Sequence, residues 1–135
     1  MGYYSEIGIA LYTKDYKTMV KRAKALKKQD TYKLINYADK YIADEGKVTI
    51  LYFANIKWYS NFEDVRWIET FIQKVDAAFV RTGEDTNDNE EDYYNDGYEL
   101  LSYCYLTRKI EIDGKKLIEE DENLNELLDE IDRRL

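Results

Sequence analysis

The residues best suited to chemistry lie in one acidic segment, RTGEDTNDNEEDYYNDGYE, which spans residues 81–99. It contains three tyrosines (Tyr93, Tyr94 and Tyr98) and one cation, Arg81. Its eight carboxylates are Glu84, Asp85, Asp88, Glu90, Glu91, Asp92, Asp96 and Glu99. Carboxylates at this density are compatible with a calcium-binding loop, with a surface that imitates nucleic-acid phosphates, or with a solvated loop of about fourteen residues between two strands.

An EF-hand calcium loop needs oxygen ligands at alternate positions, glycine at position 6 and a bidentate acid at position 12. Counted from Asp85, the first three ligand positions fit, but Glu90 stands where glycine is needed and the short Asp96 stands at position 12. The flanking sequence also indicates strands rather than helices. The segment therefore predicts weak capture of a divalent cation at most, with no defined metal site and no cofactor.

The chain contains no histidine and a single cysteine, Cys104. These absences exclude Ser–His and Cys–His nucleophilic pairs, the usual acid–base side chain and ordinary zinc sites. The apolar run LLSYCYL around Cys104 predicts a small buried side chain rather than a nucleophile. Carboxylate-only metal chemistry is the enzyme class that stays open, and the protein is predicted not to be an enzyme.

A second acidic group is predicted on the outer side of an amphipathic helix that begins near Asn123. A solvated helix face is one interpretation of it. If this helix lies beside the acidic segment, the two groups form one negative surface with tyrosines at its centre. The residues predicted to bind a partner are Glu84, Asp85, Asp88, Glu90, Glu91, Asp92, Tyr93, Tyr94, Asp96, Tyr98, Glu126, Asp129 and Glu130.

The net charge of −8 is unevenly distributed along the chain. Residues 1–60 hold eleven Lys or Arg against six acids, whereas residues 61–135 hold nine against twenty-two. Binding to nucleic acid depends on neutralising phosphates, so direct contact with nucleic acid is not expected. A basic protein is the predicted partner.

A basic stripe runs along the first predicted helix, at spacings of three and four residues: Lys14, Lys17, Lys21, Lys24 and Lys28. A solvated helix face, a grip on phosphates, and contact with the acidic side of another copy (which would give a homo-oligomer) are three interpretations of it. The fourteen tyrosines add stiff, amphipathic contact area of the kind that binding surfaces use.

Hydrophobic periodicity predicts the elements of the first half of the chain. Period-two alternation predicts strands in EIGIALY and KVTILYFANIKWY, the second with both faces covered. Helical spacing predicts a helix capped by Thr13 and a second helix over residues 30–42. A third helix is predicted to open at a capping box formed by Asn61 and Asp64 and to continue to about Val75.

In the second half, a short strand AAFVRT precedes the acidic segment, and LLSYCYLTRKIEID predicts one long strand. Asp113-Gly114 indicates a two-residue hairpin turn, and the acidic helix closes the sequence. The order predicts an α+β fold: a single layer of mostly antiparallel, four- to five-stranded sheet with helices on one face. At 135 residues, the chain is predicted to be one domain over 1–135.

Three stretches, MGYYSEIGIALY, IKWYSNFEDVRWIETFI and AAFVRTGEDTNDNEE, resemble a group of small, acidic proteins encoded by bacteriophages and prophages. The resemblance brings no catalytic motif. It implies a protein that blocks host defence, such as a CRISPR nuclease, a restriction enzyme or a nucleotide-signalling system. With no apolar run of about 18 residues and no signal-peptide pattern, no membrane partner is expected and a cytoplasmic location is predicted. The resemblance implies that this cytoplasm is that of an infected bacterium.

Two functions from different classes therefore remain open. The first is a non-enzymatic inhibitor that binds a basic, nucleic-acid-handling protein, such as a nuclease or its complex, through the acidic, tyrosine-rich surface. The second is a small-ligand module that sequesters a nucleotide signal in a pocket lined by aromatic residues and lysines. A weak divalent-cation-binding interaction domain is a further alternative.

Overall fold

The computed structural model describes residues 2–85, 87–107 and 109–117. The predicted acidic helix, with Glu126, Asp129 and Glu130, lies outside the described residues. Within them the predicted α+β class is confirmed: three α-helices lie on one face of an antiparallel sheet. The sheet has six strands in the order β5-β4-β1-β3-β2-β8, and β6 and β7 form a separate two-stranded sheet.

The strands of the main sheet are β1 Ser5–Tyr12, β2 Asp39–Ala43, β3 Val48–Ile56, β4 Ala77–Thr82, β5 Asn89–Tyr94 and β8 Lys115–Lys116. The small sheet contains β6 Cys104–Leu106 and β7 Ile110–Ile112. The α-helices are α1 Thr13–Ala25, α2 Gln29–Tyr37 and α3 Glu63–Ile72. Two 3₁₀ helices, η1 Asp44–Gly46 and η2 Gly97–Ser102, complete the described elements.

Apolar residues on both faces of β1, β3 and β4 give the sheet two buried sides, as predicted for the central strand. On one side Ile9 and Phe53 belong to a core that the three α-helices cover. On the other side Ile50 and Val80 pack in a smaller core with Leu100, Cys104 and Ile110, which come from η2, β6 and β7. The predicted burial of Cys104 is confirmed, since none of its surface is exposed. We refer to the two sides as the helix face and the η2 face.

The helix predicted over residues 30–42 is wrong at its C-terminal end, because α2 stops at Tyr37 and residues 39–43 form β2. The buried Lys40 ammonium group donates to the carbonyl oxygens of Ile35 and Ala38, each at 2.8 Å, and thus satisfies acceptors at the end of the helix. Pairing of β2 with β3 then satisfies the following backbone groups.

Neither predicted side-chain cap forms. Helix α1 begins at Thr13 itself, and the buried Thr13 hydroxyl donates to the carbonyl oxygen of Gly46 at 2.5 Å. Helix α3 begins at Glu63, and Asp64 accepts a hydrogen bond from the adjacent Val65 amide rather than from a residue further along. Both helices are therefore anchored by packing of their apolar residues, not by capping.

The long strand predicted from LLSYCYLTRKIEID is also wrong. Leu100 lies in η2, and the chain then reverses between β6 and β7, where the Thr107 amide donates to the carbonyl oxygen of Lys109 at 2.9 Å. This reversal lets Cys104 and Ile110 cover the same side of the main sheet. Asp113-Gly114 does not make the predicted hairpin, since β7 pairs with β6 whereas β8 pairs with β2.

Candidate partner-binding surface

The middle part of the acidic segment is a strand of the sheet. Residues 89–94 form β5, which pairs with β4 in a register that sets Glu90 opposite Arg81 and Tyr94 opposite Ala77. The connection between the strands is therefore residues 83–88 only, shorter than the predicted loop of about fourteen residues. It is closed by a 2.8 Å hydrogen bond from the Gly83 amide to the carbonyl oxygen of Asp88.

Arg81 holds this connection together. Its guanidinium group donates to Glu90 Oε1 at 2.7 Å, to both carboxylate oxygens of Asp88 and to the Ser5 hydroxyl at 3.2 Å. The Tyr3 hydroxyl donates to Asp88 Oδ2 at 2.6 Å. Hydrogen bonds from Arg81 and then Tyr3 lower the pKa of Asp88. The single positive charge of Arg81 thus offsets part of the negative charge of Asp88 and Glu90.

Alternation along β5 sends its remaining side chains to opposite faces of the sheet. Tyr94 packs against the helix-covered core, and burial raises its pKa. Asp92 is exposed on the same side as Tyr94. Glu91 and Tyr93 point towards the η2 face, where Glu91 Oε2 accepts the Leu106 amide at 2.9 Å.

An open cleft of about 800 Å³ lies on the η2 face. Its floor is apolar and includes Val48 and Leu100. Ser102 contributes to its polar lining, and the other polar residues are three carboxylates and four tyrosines: Asp44, Glu91, Glu99, Tyr12, Tyr98, Tyr103 and Tyr105. Among the described residues that line it there is no lysine or arginine. We call these seven residues the acidic tyrosine cleft.

The tyrosines of the cleft range from half-buried to strongly exposed. Tyr98 has 68% of its surface exposed and meets Tyr93 edge-on, with the ring centroids 5.3 Å apart and an interplanar angle of 83°. Burial, and then the negative charge of Glu99, raise the pKa of Tyr12. The cleft can therefore offer carboxylates to a cation and aromatic surface to the apolar part of the same side chain.

The structure brings together only part of the predicted site. Glu91 and Tyr98 line the acidic tyrosine cleft, and Tyr93 contacts Tyr98 at its edge. Glu84 and Asp85 are exposed in the 83–88 connection instead. Asp96 is exposed at the entry to η2, with its amide bonded to Asp76 Oδ1 at 3.0 Å.

Sequence reasoning missed several residues of the cleft. Tyr103 and Tyr105 flank the buried Cys104. The signal that could have found them is the period-two pattern in SYCYL, which puts both on the side of the strand opposite to that cysteine. Glu99 was counted among the carboxylates but not assigned to the site. Asp44 and Tyr12 come from distant parts of the chain, so no local pattern could associate them with β5.

No group of three or more acidic, cysteine or histidine side chains within the described ranges is arranged to hold a metal ion. No helix in the part of the chain that the structure describes is both long and apolar enough to span a bilayer. Comparison with protein-family models, curated proteins and solved structures gives no match for this chain.

Proposed function

We propose that this is a non-enzymatic binding protein that docks onto a basic, nucleic-acid-handling protein through its acidic tyrosine cleft. The observation that carries the proposal is the make-up of the cleft, in which carboxylates and tyrosines surround an apolar floor and no described lining residue is basic. The absence of histidine agrees with a role that needs no acid–base catalyst.

Arginine is the side chain that fits such a cleft best. Its guanidinium group pairs with carboxylates through several hydrogen bonds and also stacks on aromatic rings. Glu91 is already oriented by the Leu106 amide, so less rotational freedom is lost when a partner binds than for a mobile carboxylate. Tyr98 provides a large exposed ring of the type that dominates the free energy of binding at protein interfaces.

The resemblance to small, acidic phage and prophage proteins suggests where such a partner would be found. Under this proposal the partner is a CRISPR nuclease, a restriction enzyme or a complex containing one, and binding blocks its basic surface. Encounter with that surface is accelerated by opposite charge, so the association should weaken as ionic strength rises.

The test is an affinity measurement by biolayer interferometry against a panel of purified CRISPR and restriction nucleases, at roughly 50 mM and roughly 200 mM salt. We expect binding to at least one of them, tighter at the lower salt concentration. Tyr98→Ala and the double variant Glu91→Gln/Glu99→Gln should each weaken that binding about tenfold or more, because they remove the anchor ring and the charges it accompanies.

The matched control is Asp30→Asn/Glu63→Gln, which removes the same amount of negative charge from exposed positions on α2 and α3. It should change the affinity by no more than about twofold. Failure to bind any nuclease at low salt, or an equal loss in the control and the cleft variants, would contradict the proposal.

A further inference from the structure

The turn between α1 and α2 forms a second cleft, of about 710 Å³, on the helix face of the sheet. Its charged lining is made only of lysines: among the described residues around it there are four lysines and no carboxylate. Two tyrosines also line the cleft, together with Ala23, Gln29 and Asn36. We call the lysines and tyrosines the lysine cleft: Lys24, Lys27, Lys28, Lys33, Tyr32 and Tyr37.

The backbone of the turn holds the lysines at one place. Lys27 adopts a left-handed conformation with φ of 55°. This conformation lets the chain turn with only three residues between the end of α1 and the start of α2. The Lys27 amide donates to the carbonyl oxygen of Lys24 at 3.0 Å, and the Lys28 amide donates to that of Ala23 at 2.9 Å. Side chains from the last turn of α1 and the first turns of α2 are thereby brought around one opening.

The charges of the cleft are not equally available. The Lys28 ammonium group forms an ion pair with Glu63 at 2.8 Å. Lys24, Lys27 and Lys33 are exposed. The Lys24 ammonium group also lies 5.1 Å from the centre of the Tyr32 ring. Three exposed lysines therefore lie next to aromatic side chains. This arrangement suits a ligand that has several negative charges and an aromatic ring.

Tyr37 supplies the flat surface that such a ring would need. Its ring lies nearly parallel to the buried Phe53, with an interplanar angle of 17° and 6.4 Å between centroids, while 59% of the residue is exposed. One side of the ring is thus supported by the core and the other faces solvent. The support keeps the ring in place, so a planar ligand can stack on it at small entropic cost.

We propose that the lysine cleft binds a nucleotide, with Lys24, Lys27 and Lys33 contacting its phosphates and Tyr37 stacking on its base. The cleft volume falls within the range of small-ligand sites, about 300–1,000 Å³. The proposal is independent of the protein-binding function, because it uses the opposite face of the sheet and different residues.

Isothermal titration calorimetry at low salt, with the full chain, separates the parts of this proposal. The probes are ATP, inorganic tripolyphosphate and adenosine. We expect ATP to bind measurably more tightly than either of the other two, because only ATP engages the lysines and the tyrosine together. Lys24→Gln/Lys33→Gln should weaken ATP binding about tenfold or more, since charge-assisted contacts to phosphate are lost.

Tyr37→Ala should weaken the binding of ATP about fivefold or more, because the stacking surface is lost, and should leave the affinity for tripolyphosphate unchanged. The control Lys14→Gln/Lys21→Gln removes two exposed charges from α1 outside the cleft and should leave ATP affinity within about twofold. Thermal melting of each variant verifies that it is folded.

Several results would overturn the proposal. One is the absence of ATP binding, and another is an equal loss in the control and the cleft variants, which would indicate unspecific attraction. Tripolyphosphate binding as tight as ATP binding, with no effect of Tyr37→Ala, would exclude the stacking role. Dissociation of a dimer by Lys24→Gln/Lys33→Gln without any nucleotide binding would assign the cleft to contact between copies. In each case binding of a nuclease through the acidic tyrosine cleft could still be observed.

Discussion

At the scale of single residues, Arg81 determines how much of the acidic segment can act on a partner. Its guanidinium group binds Asp88 and Glu90, so two of the eight carboxylates of the segment serve to fix the β4–β5 connection. Glu91, one position further, points to the other face and lines the acidic tyrosine cleft. Adjacent acids in one short strand thus have different roles because alternate side chains face opposite sides of the sheet.

Lys40 provides a prediction at the same scale. Burial lowers its pKa from 10.5 to about 8. Between these two values Lys40 therefore holds more protons in the unfolded chain than in the folded chain, and its contribution to the free energy of unfolding rises with pH. The substitution Lys40→Met removes this pH-dependent contribution to the free energy of unfolding.

The difference in unfolding free energy between the wild type and Lys40→Met should therefore shift in favour of the wild type by about 2 kcal/mol from about pH 7 to about pH 9.5. Urea denaturation at several pH values measures it. Taking the difference cancels the opposite trend of Cys104, whose pKa burial raises to about 12 and whose contribution is lost as pH rises above 9. Parallel pH profiles for the two proteins would contradict the assignment.

At the scale of elements, η2 connects the second core to the acidic tyrosine cleft. Leu100 anchors it in the core, and Tyr98 and Glu99 from the same 3₁₀ helix line the cleft. Gly97 at its start is buried, and a Cβ atom there would overlap the backbone of Ala77. Only glycine allows η2 to approach β4 so closely.

Gly97→Ala is accordingly expected to displace η2 and to destabilise the protein by about 1–3 kcal/mol. It should also weaken nuclease binding, since Tyr98 and Glu99 move with the helix. Thermal unfolding and the affinity measurement on the same variant test both effects. Lys21→Ala, a change at an exposed position of α1 away from the cleft, serves as the control and should leave stability within about 0.5 kcal/mol. Wild-type stability in Gly97→Ala would show that the close approach is not required.

The elements that could be predicted from sequence are those with a long, unambiguous period. Strands β1 and β3 alternate over many residues, and helices α1 and α3 repeat apolar positions every three to four residues, so local pattern and tertiary structure agree. Strand β2 could not be predicted, because Ala38, Tyr41 and Ile42 fit a helical period equally well. Pairing with β3 determines their structure, and that pairing is not visible locally.

At the scale of the whole molecule, two clefts of opposite charge lie on opposite faces of the sheet. The lysines of α1 and α2 surround a cleft on the helix face, whereas Asp44, Glu91 and Glu99 surround one on the η2 face. Such an arrangement permits two ligands of opposite charge to bind at the same time. A chain with a net charge of −8 thus still has a cleft whose charged lining residues are all lysines among those described.

The candidate site was predictable only in part for a related reason. The density of acids and tyrosines in residues 81–99 drew attention to Glu91 and Tyr98, which line the cleft. Which acids pair with Arg81, and which distant residues join the cleft, depends on strand register and on the packing of η2. Those features arise from tertiary contacts such as the one between Leu100 and the β-sheet core.

Hydrogen–deuterium exchange of the protein, alone and bound to the nuclease that it binds most tightly, locates the docking surface. We expect slower exchange of backbone amides in residues 98–106, which include part of η2 and β6, with little change in residues 24–37 around the lysine cleft. Protection confined to the 83–88 connection or to the helix face, with residues 98–106 unaffected, would contradict docking in the acidic tyrosine cleft.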